Sequence, residues 1–197
     1  MKRIAKNRTI ASNAFLVPDP CMHITPTNLS GVFLVEPERL FDERGFFART
    51  WCREEFAQAG LNGDWAQCNV SFNRKRGTLR GLHYQAAPHE EIKLVRCTRG
   101  AVFDVVVDLR RGSPTFRQSF GVELSADNYR AVYIPAGCAH GFQTLTDDSE
   151  LFYQMGAIYR PAAARGVRWN DPAFGIAWPL TPTVISERDQ AYADFAA

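Results

Sequence analysis

From Gly31 onward, short apolar runs alternate with turn signals. β-Branched and aromatic residues cluster at 32–35, 45–51, 92–97, 101–109, 116–124 and 131–134, and again at 141–145 and 151–159. The breaks carry turn chemistry: Thr98-Arg99-Gly100, Arg111-Gly112-Ser113-Pro114, Ala126-Asp127-Asn128 and Asp147-Asp148-Ser149. Runs this short and this regularly punctuated predict an antiparallel β sandwich or barrel. One window, 53–59, ends before Gly60 and reads as a short helix. Residues 1–30 are polar, lack a period and are broken by Pro18, Pro20 and Pro26. They are expected to form an arm outside a domain spanning 31–197.

Alternation within 101–109 shows what a strand of this barrel does. Successive side chains of a strand point to opposite faces. Phe103, Val105, Val107 and Leu109 therefore share an apolar face that must meet a core. Asp104 and Asp108 share the other face with Val102 and Val106, which is costly unless the carboxylates are paired or line a wet cavity. By the same rule Lys93 sits with Val95 and Cys97, and Tyr153 with Leu151 and Met155. The expected result is a polar lumen inside an apolar shell, which a jelly roll can provide.

Composition narrows the function. Apolar residues make up 46% and charged residues 22% of the 197, an ordinary globular balance. A net charge of +2 gives no field for nucleic acid, and Arg74-Lys75-Arg76 reads as a solvated loop. No apolar run approaches the ~18 residues of a membrane span. Five widely spaced cysteines without a CxxC pair point to reduced thiols and a cytoplasmic protein.

The candidate chemistry lies in Arg80-Gly81-Leu82-His83-Tyr84-Gln85, in Lys93, and in His140 of the run from Pro135 to Phe142. His83 and His140 are two of only four histidines in the chain. A strand built only for packing rarely gathers an imidazole, a guanidinium, an amide and an ammonium. An imidazole is suited to take a proton near neutral pH, the better when a carboxylate orients its second nitrogen. Pro135, Gly137 and His140 also fit the second half of a metal-binding barrel motif. Its first half needs two histidines two apart, where this chain has His83 and Gln85. His83, Glu91 and His140 could ligate a metal, but Lys93 among them opposes one. Taken alone, Tyr153 and Tyr159 read as core or rim aromatics, Asp171 as a turn residue and Asp189 as a solvated helix start.

Together these residues resemble the dTDP-4-dehydrorhamnose 3,5-epimerase family, metal-free jelly-roll cupins that act on nucleotide-linked 4-keto sugars. The resemblance runs from about Gly31 to Asp189. It includes the motifs 41–47, 67–71, 79–85, 93–95, 104–110, 113–115, 139–142, 169–172 and 186–189, with Tyr153 and Trp178-Pro179. It implies an all-β, cupin-type jelly-roll barrel with a few short helices, no cofactor, no metal and a homodimer. His83 would then be the general base, oriented by Asp189. Lys93 would stabilise the enolate, and Tyr153 would return a proton from the opposite ring face. Asp104 and His140 would support the site, and His140 would reach the substrate. Arg44 and Arg80, with Gln67 and Asn69, would hold the diphosphate, while Phe47 and Tyr159 would flank the base.

Two positions depart from the resembled pattern. Arg49 stands where the family commonly has a base-reading Glu, so Arg49 is expected at the nucleobase with altered selectivity. Glu91 stands where a Gln precedes the lysine. The expected activity is inversion of C3, C5 or both beside the C4 ketone of a nucleotide-linked 4-keto-6-deoxyhexose. The alternatives are a single-centre epimerase or ketoisomerase, a non-catalytic sugar-nucleotide-binding cupin, and a metal-dependent cupin.

Overall fold

Two antiparallel sheets face each other across one apolar interior. The computed structural model describes residues 21–195. In chain order the strands are β1 Met22–Pro26, β2 Phe33–Pro37, β3 Arg39–Asp42, β4 Gly45–Ala48, β5 Gln67–Asn73, β6 Thr78–Gln85 and β7 Lys93–Arg99. There follow β8 Ala101–Asp108, β9 Ser119–Ser125, β10 Ala131–Ile134, β11 Cys138–Thr144, β12 Ser149–Met155, β13 Ala164–Gly166 and β14 Val184–Ile185. Helix α1, Arg53–Gln58, follows β4, and α2, Glu187–Gln190, follows β14. One sheet has the order β1-β2-β10-β7-β12-β5. The other has the order β13-β6-β11-β8-β9, with β14 added in parallel to β6. Strands β3 and β4 form a separate hairpin. This is the expected all-β jelly roll.

The interior is built as the alternation along 101–109 requires. Val102 and Val106 enter the inter-sheet core with Val95, Cys97, Leu124, Val132, Ile134, Phe142 and Leu151. Phe103, Val105 and Val107 face outward, where Val167, Phe174 and Trp178 of the C-terminal segment cover them together with Leu82. On the other sheet, α1 sends Phe56 against Leu94 and Tyr133. Each fully buried side chain of this size contributes roughly 1.5–3 kcal/mol by leaving water. Asp108 is buried too. Its burial pushes the carboxyl up, but hydrogen bonds from Arg110, Ser113 and Thr115 outweigh that and hold it at about 2. All five cysteines are free thiols.

Three expectations change. The domain boundary moves towards the N-terminus: Met22–Pro26 pairs along β2, and Leu29 is buried in the inter-sheet core. Residues 22–29 thus belong to the sandwich, and residues 1–20 of the expected arm lie outside the described residues. A strand absent from the apolar pattern, β5, forms the edge beside β12. The strand expected over 45–51 ends at Ala48, inside the β3–β4 hairpin.

One close approach sets the geometry of everything that follows. β6 and β11 pair His83 with His140 and then shift register, pairing Arg80 with Phe142. At the shift the two backbones touch through glycine. A Cβ on Gly81 would lie 2.6 Å from Gly141 Cα, and one on Gly141 would lie 2.7 Å from the Arg80 carbonyl oxygen. Gly81 also has φ +125°, a conformation that side chains resist. Gly81→Ala is therefore expected to cost roughly 2–4 kcal/mol through strain and overpacking. Gly112→Ala, with nothing within 4 Å of the added carbon, is expected to be nearly neutral. Chemical denaturation of the two variants against the parent checks the contrast.

Candidate active site

A cavity of about 260 Å³ opens in the lumen between β5, β6, β7, β11 and β12. Its lining includes His83, Lys93, His140, Tyr153, Asn69, Arg80 and Tyr159. Strand alternation puts them there. Lys93 is opposite Met155, and Tyr153 lies between Val95 and Asn69 of its two neighbouring strands. The polar groups thus occupy one end of the lumen whose remainder is apolar core.

His83 is held by a carboxylate from the far end of the chain. Its Nε2 lies 2.6 Å from Asp189 Oδ1, and the Gly81 backbone N–H donates to Asp189 Oδ2 at 3.1 Å. Asp189 is placed by α2, whose cap Ser186 accepts the Asp189 N–H at 3.1 Å. β14 adds to β6 just before it, so the helix starts beside His83. Read alone, Asp189 was expected in solvent; it is 3% exposed. Burial pushes its carboxyl up, but the His83 hydrogen bond and charge outweigh this and hold it below its ordinary value. With Nε2 donating to the carboxylate, Nδ1 carries the lone pair.

Lys93 is aimed by three surrounding groups. Its Nζ is 3.1 Å from Glu91 Oε1 and donates to the His83 carbonyl at 3.2 Å. Gln85 Nε2 donates to the other Glu91 oxygen at 2.7 Å. An ammonium has three N–H donors, so one remains for a ligand. Both Lys93 and Glu91 are buried, and the pairing is what makes a charge tolerable there.

Across the cavity, His140 Nε2 lies 2.7 Å from the buried Asp104 Oδ2. The His140 ring meets Tyr153 edge to face, with centroids 5.9 Å apart. Burial first, and the nearby Asp104 carboxylate second, push the Tyr153 phenol well above its ordinary value. It is therefore a protonated group at neutral pH. No three His, Cys, Asp or Glu side chains converge as a metal would need among the described residues. His83, Glu91 and His140 each face a partner named above.

The expected ligand-holding residues divide. Arg80 Nε donates to the buried Asn73 Oδ1 at 2.7 Å, which fixes its guanidinium at the cavity wall. Gln67 accepts the Tyr159 N–H at 2.8 Å and donates to Asn69 Oδ1 at 3.3 Å, tying the rim together. Arg44 and Phe47 do not line the cavity. They project from the β3–β4 hairpin, where Arg44 pairs with Asp42 and Phe47 is 67% exposed. Arg49, expected at the nucleobase, instead lies 2.9 Å from Glu55 of α1, in a separate cleft with Cys21 and Cys52. Its long side chain finds a carboxylate six residues on, in the first turn of α1. Ser71 and Glu91 also line the cavity. The alternation Gln67, Asn69, Ser71 was the available signal for the first, and the spacing to Lys93 for the second.

The family model described as dTDP-4-dehydrorhamnose 3,5-epimerase matches residues 26–197. The chain is 45% identical over 177 residues to the dTDP-4-dehydrorhamnose 3,5-epimerase of Pseudomonas aeruginosa, covering 89% of this chain and 97% of that protein. It is similar to the crystal structure of the same-named enzyme from Bacillus anthracis with TDP and PPi bound. That match has a TM-score of 0.86 at 38% identity and covers 89% of this chain and 100% of the other. A 3'-monoepimerase from Streptomyces bikiniensis, in complex with dTDP-quinovose, matches with a TM-score of 0.80 at 40% identity, covering 86% of each chain.

The depressed Asp189 carboxyl has a sign that can be checked. A group whose pKa is lower folded than unfolded stabilises fully above the unfolded value and loses that contribution as pH falls through the folded one. The unfolded reference here is 3.8. The stability difference between the parent and Asp189→Asn is expected to be largest above that value and to shrink as pH falls below it. Urea denaturation from about pH 5 to about pH 2 measures the difference directly.

Proposed function

This chain belongs to the dTDP-4-dehydrorhamnose 3,5-epimerase family, and on that premise we propose how its own residues carry out an epimerisation beside a ketone. The enzyme is an isomerase acting on a nucleotide-linked 4-keto-6-deoxyhexose. The observation that carries the reading is the convergence on one cavity of an Asp-held imidazole, a buried lysine and a protonated phenol.

In the proposed step, His83 Nδ1 takes the proton from the carbon next to C4, the C–H electron pair becomes the C=C bond of the enolate, and the carbonyl π pair moves onto the C4 oxygen. Lys93 turns its remaining N–H towards that oxygen, where negative charge develops; a fixed cation in a dry site is effective there. Tyr153 then gives its phenolic proton to the opposite face of the same carbon, the enolate collapses to the ketone, and the centre is inverted. The imidazolium loses its proton and the phenolate regains one by exchange with solvent, which restores the enzyme. Asp189 holds the imidazole tautomer and steadies the imidazolium. Asp104 and His140 hold the wall against which Tyr153 stands.

Arg80, Asn69 and Gln67 suit a diphosphate, since a guanidinium pairs well with phosphate oxygens. Tyr159, 48% exposed at the rim, offers its ring face for a base to stack on. With Arg49 paired to Glu55, the expected shift in base selectivity loses its basis, and thymine is the base in the TDP bound by the Bacillus anthracis enzyme and in the dTDP-quinovose bound by the Streptomyces bikiniensis one. The hairpin residues Arg44 and Phe47 serve a cavity only if a second copy brings them. Exposed Phe41, Phe47, Val70 and Phe72 supply the apolar surface for such a homodimer. Five unpaired thiols favour the cytoplasm. Because one similar protein is a 3'-monoepimerase, inversion of one centre is the second reading.

Solvent deuterium is expected to enter a dTDP-4-keto-6-deoxyhexose without added metal or nicotinamide: two non-exchanging deuterons for a 3,5-epimerase, one for a single-centre enzyme. Loss of activity to a chelator, restored by a divalent ion, would point instead to a metal cupin. His83→Ala is expected to lower kcat by about 10²–10⁴-fold with little change in ligand binding. Tyr153→Phe is expected to keep deuterium exchange into recovered substrate while losing inverted product. Mass spectrometry and proton NMR of the same reactions read both. Sedimentation of the parent tests the dimer.

A further inference from the structure

The segment beyond Asp189 touches the base at a second point, which the reaction above does not use. Tyr192 sets its ring edge to face with the His83 imidazole, at 6.2 Å between centroids and 68° between planes. The same ring rests on the backbone of Gly166, which pairs with His83 across β13 and β6. A Cβ at Gly166 would fall 2.2 Å from the Tyr192 ring, so the missing side chain is the seat of the tyrosine. Arg188 Nε donates to the Tyr192 hydroxyl at 2.8 Å. Three residues on, the Phe195 N–H donates to the buried Asp171 carboxylate, and the Phe195 ring packs on Phe174 and Phe116, at 5.5 and 6.1 Å. The strap from Ser186 to Phe195 is thus fastened on both sides of Tyr192.

A histidine side chain turns about two bonds. One hydrogen bond at Nε2 fixes that nitrogen and leaves the ring free to swing about it. A second contact, on the ring itself, is needed to fix where Nδ1 points. We propose that Tyr192 is a positioning residue for His83, closing the side of the imidazole that Asp189 leaves free. Both restraints come from one short strap, so they engage together, and Gly166 is glycine because the restraint needs the room. The inference rests on His83 being the base.

Displacing a reacting group by about an ångström costs on the order of 10²-fold in rate, so a looser imidazole shows in turnover before it shows in binding. Tyr192→Ala is expected to lower kcat about tenfold or more, leaving KM for the nucleotide sugar nearly unchanged and slowing deuterium entry in step. Tyr192→Phe keeps the ring and loses only the hydroxyl, and is expected to restore the parent kcat. Gly166 has no left-handed backbone to strain, so Gly166→Ala acts only by pushing the tyrosine. It is expected to lower kcat in the parent and to add nothing in the Tyr192→Ala background, because the two share one contact. Parent-like kcat in Tyr192→Ala, a loss confined to KM, a Tyr192→Phe as slow as Tyr192→Ala, or full additivity with Gly166→Ala would each overturn the proposal. If His83→Ala is inactive while any of these holds, only the role of Tyr192 falls. If His83→Ala is active, the base assignment falls with it.

Discussion

Taking an ammonium or a carboxylate out of water costs several kcal/mol even after the protein relaxes, and the lumen of this sandwich does so repeatedly. Four buried charges of the sandwich each stand beside a counter-group: Lys93 with Glu91, Asp104 with His140, Asp189 with His83, Asp108 with Arg110. The pairing that makes burial tolerable also removes rotational freedom. The side chains facing the cavity are therefore aimed before any ligand arrives, and catalysis gains most from groups that need no reorganisation. The apolar shell contributes by keeping water from loosening these pairs. Stability and reactivity thus share one cause.

The same logic explains why distant segments meet. His83 lies mid-chain and its carboxylate lies near the end, joined by β14 against β6 and by the strap that follows. The outward apolar face of β8 recruits the C-terminal segment as its cover, and that cover carries Asp189 to the site. A strand whose two faces are both used, one for the lumen and one for the wrapper, is what lets a small sandwich draw its site from residues over a hundred positions apart.

Much of this was legible in the sequence, for identifiable reasons. Turn chemistry and β-branched runs marked most strands, and alternation along 101–109 put Asp104 and Asp108 on the face opposite Val105 and Val107, where both are buried and paired. β5 escaped notice because its polar residues face in and its apolar ones face out, so hydrophobicity gives no sign of an inner face. Asp189 was opaque on its own: Ser186-Glu187-Arg188-Asp189 is an ordinary helix start, and only tertiary pairing buries its fourth residue. Arg49 was assigned to the base by the resemblance alone, which carries no sign of the carboxylate it meets on the next helix. The strand Met22–Pro26 gives little sign of itself because prolines surround it and it forms by pairing with β2. Tyr192 had no signal at all, since the space it fills is defined by the absence of a side chain at Gly166.

β5 carries a further implication for how such a chain can change length. Asn69 and Ser71 line the cavity; the alternating Val70, which touches the cavity's edge, and Phe72 are largely exposed. A strand with two such different faces cannot absorb an odd shift: sliding it by one residue would put valine and phenylalanine into the cavity and its amides outside. Asn73 guards against this, since its side-chain amide is bonded to the Ser149 carbonyl at the buried end of the strand. Length changes in the loop before Gln67 are thus free to be taken up by the loop, whereas a single-residue deletion between Gln67 and Asn73 acts as a frameshift in space, exchanging a polar-walled cavity for a greasy slot.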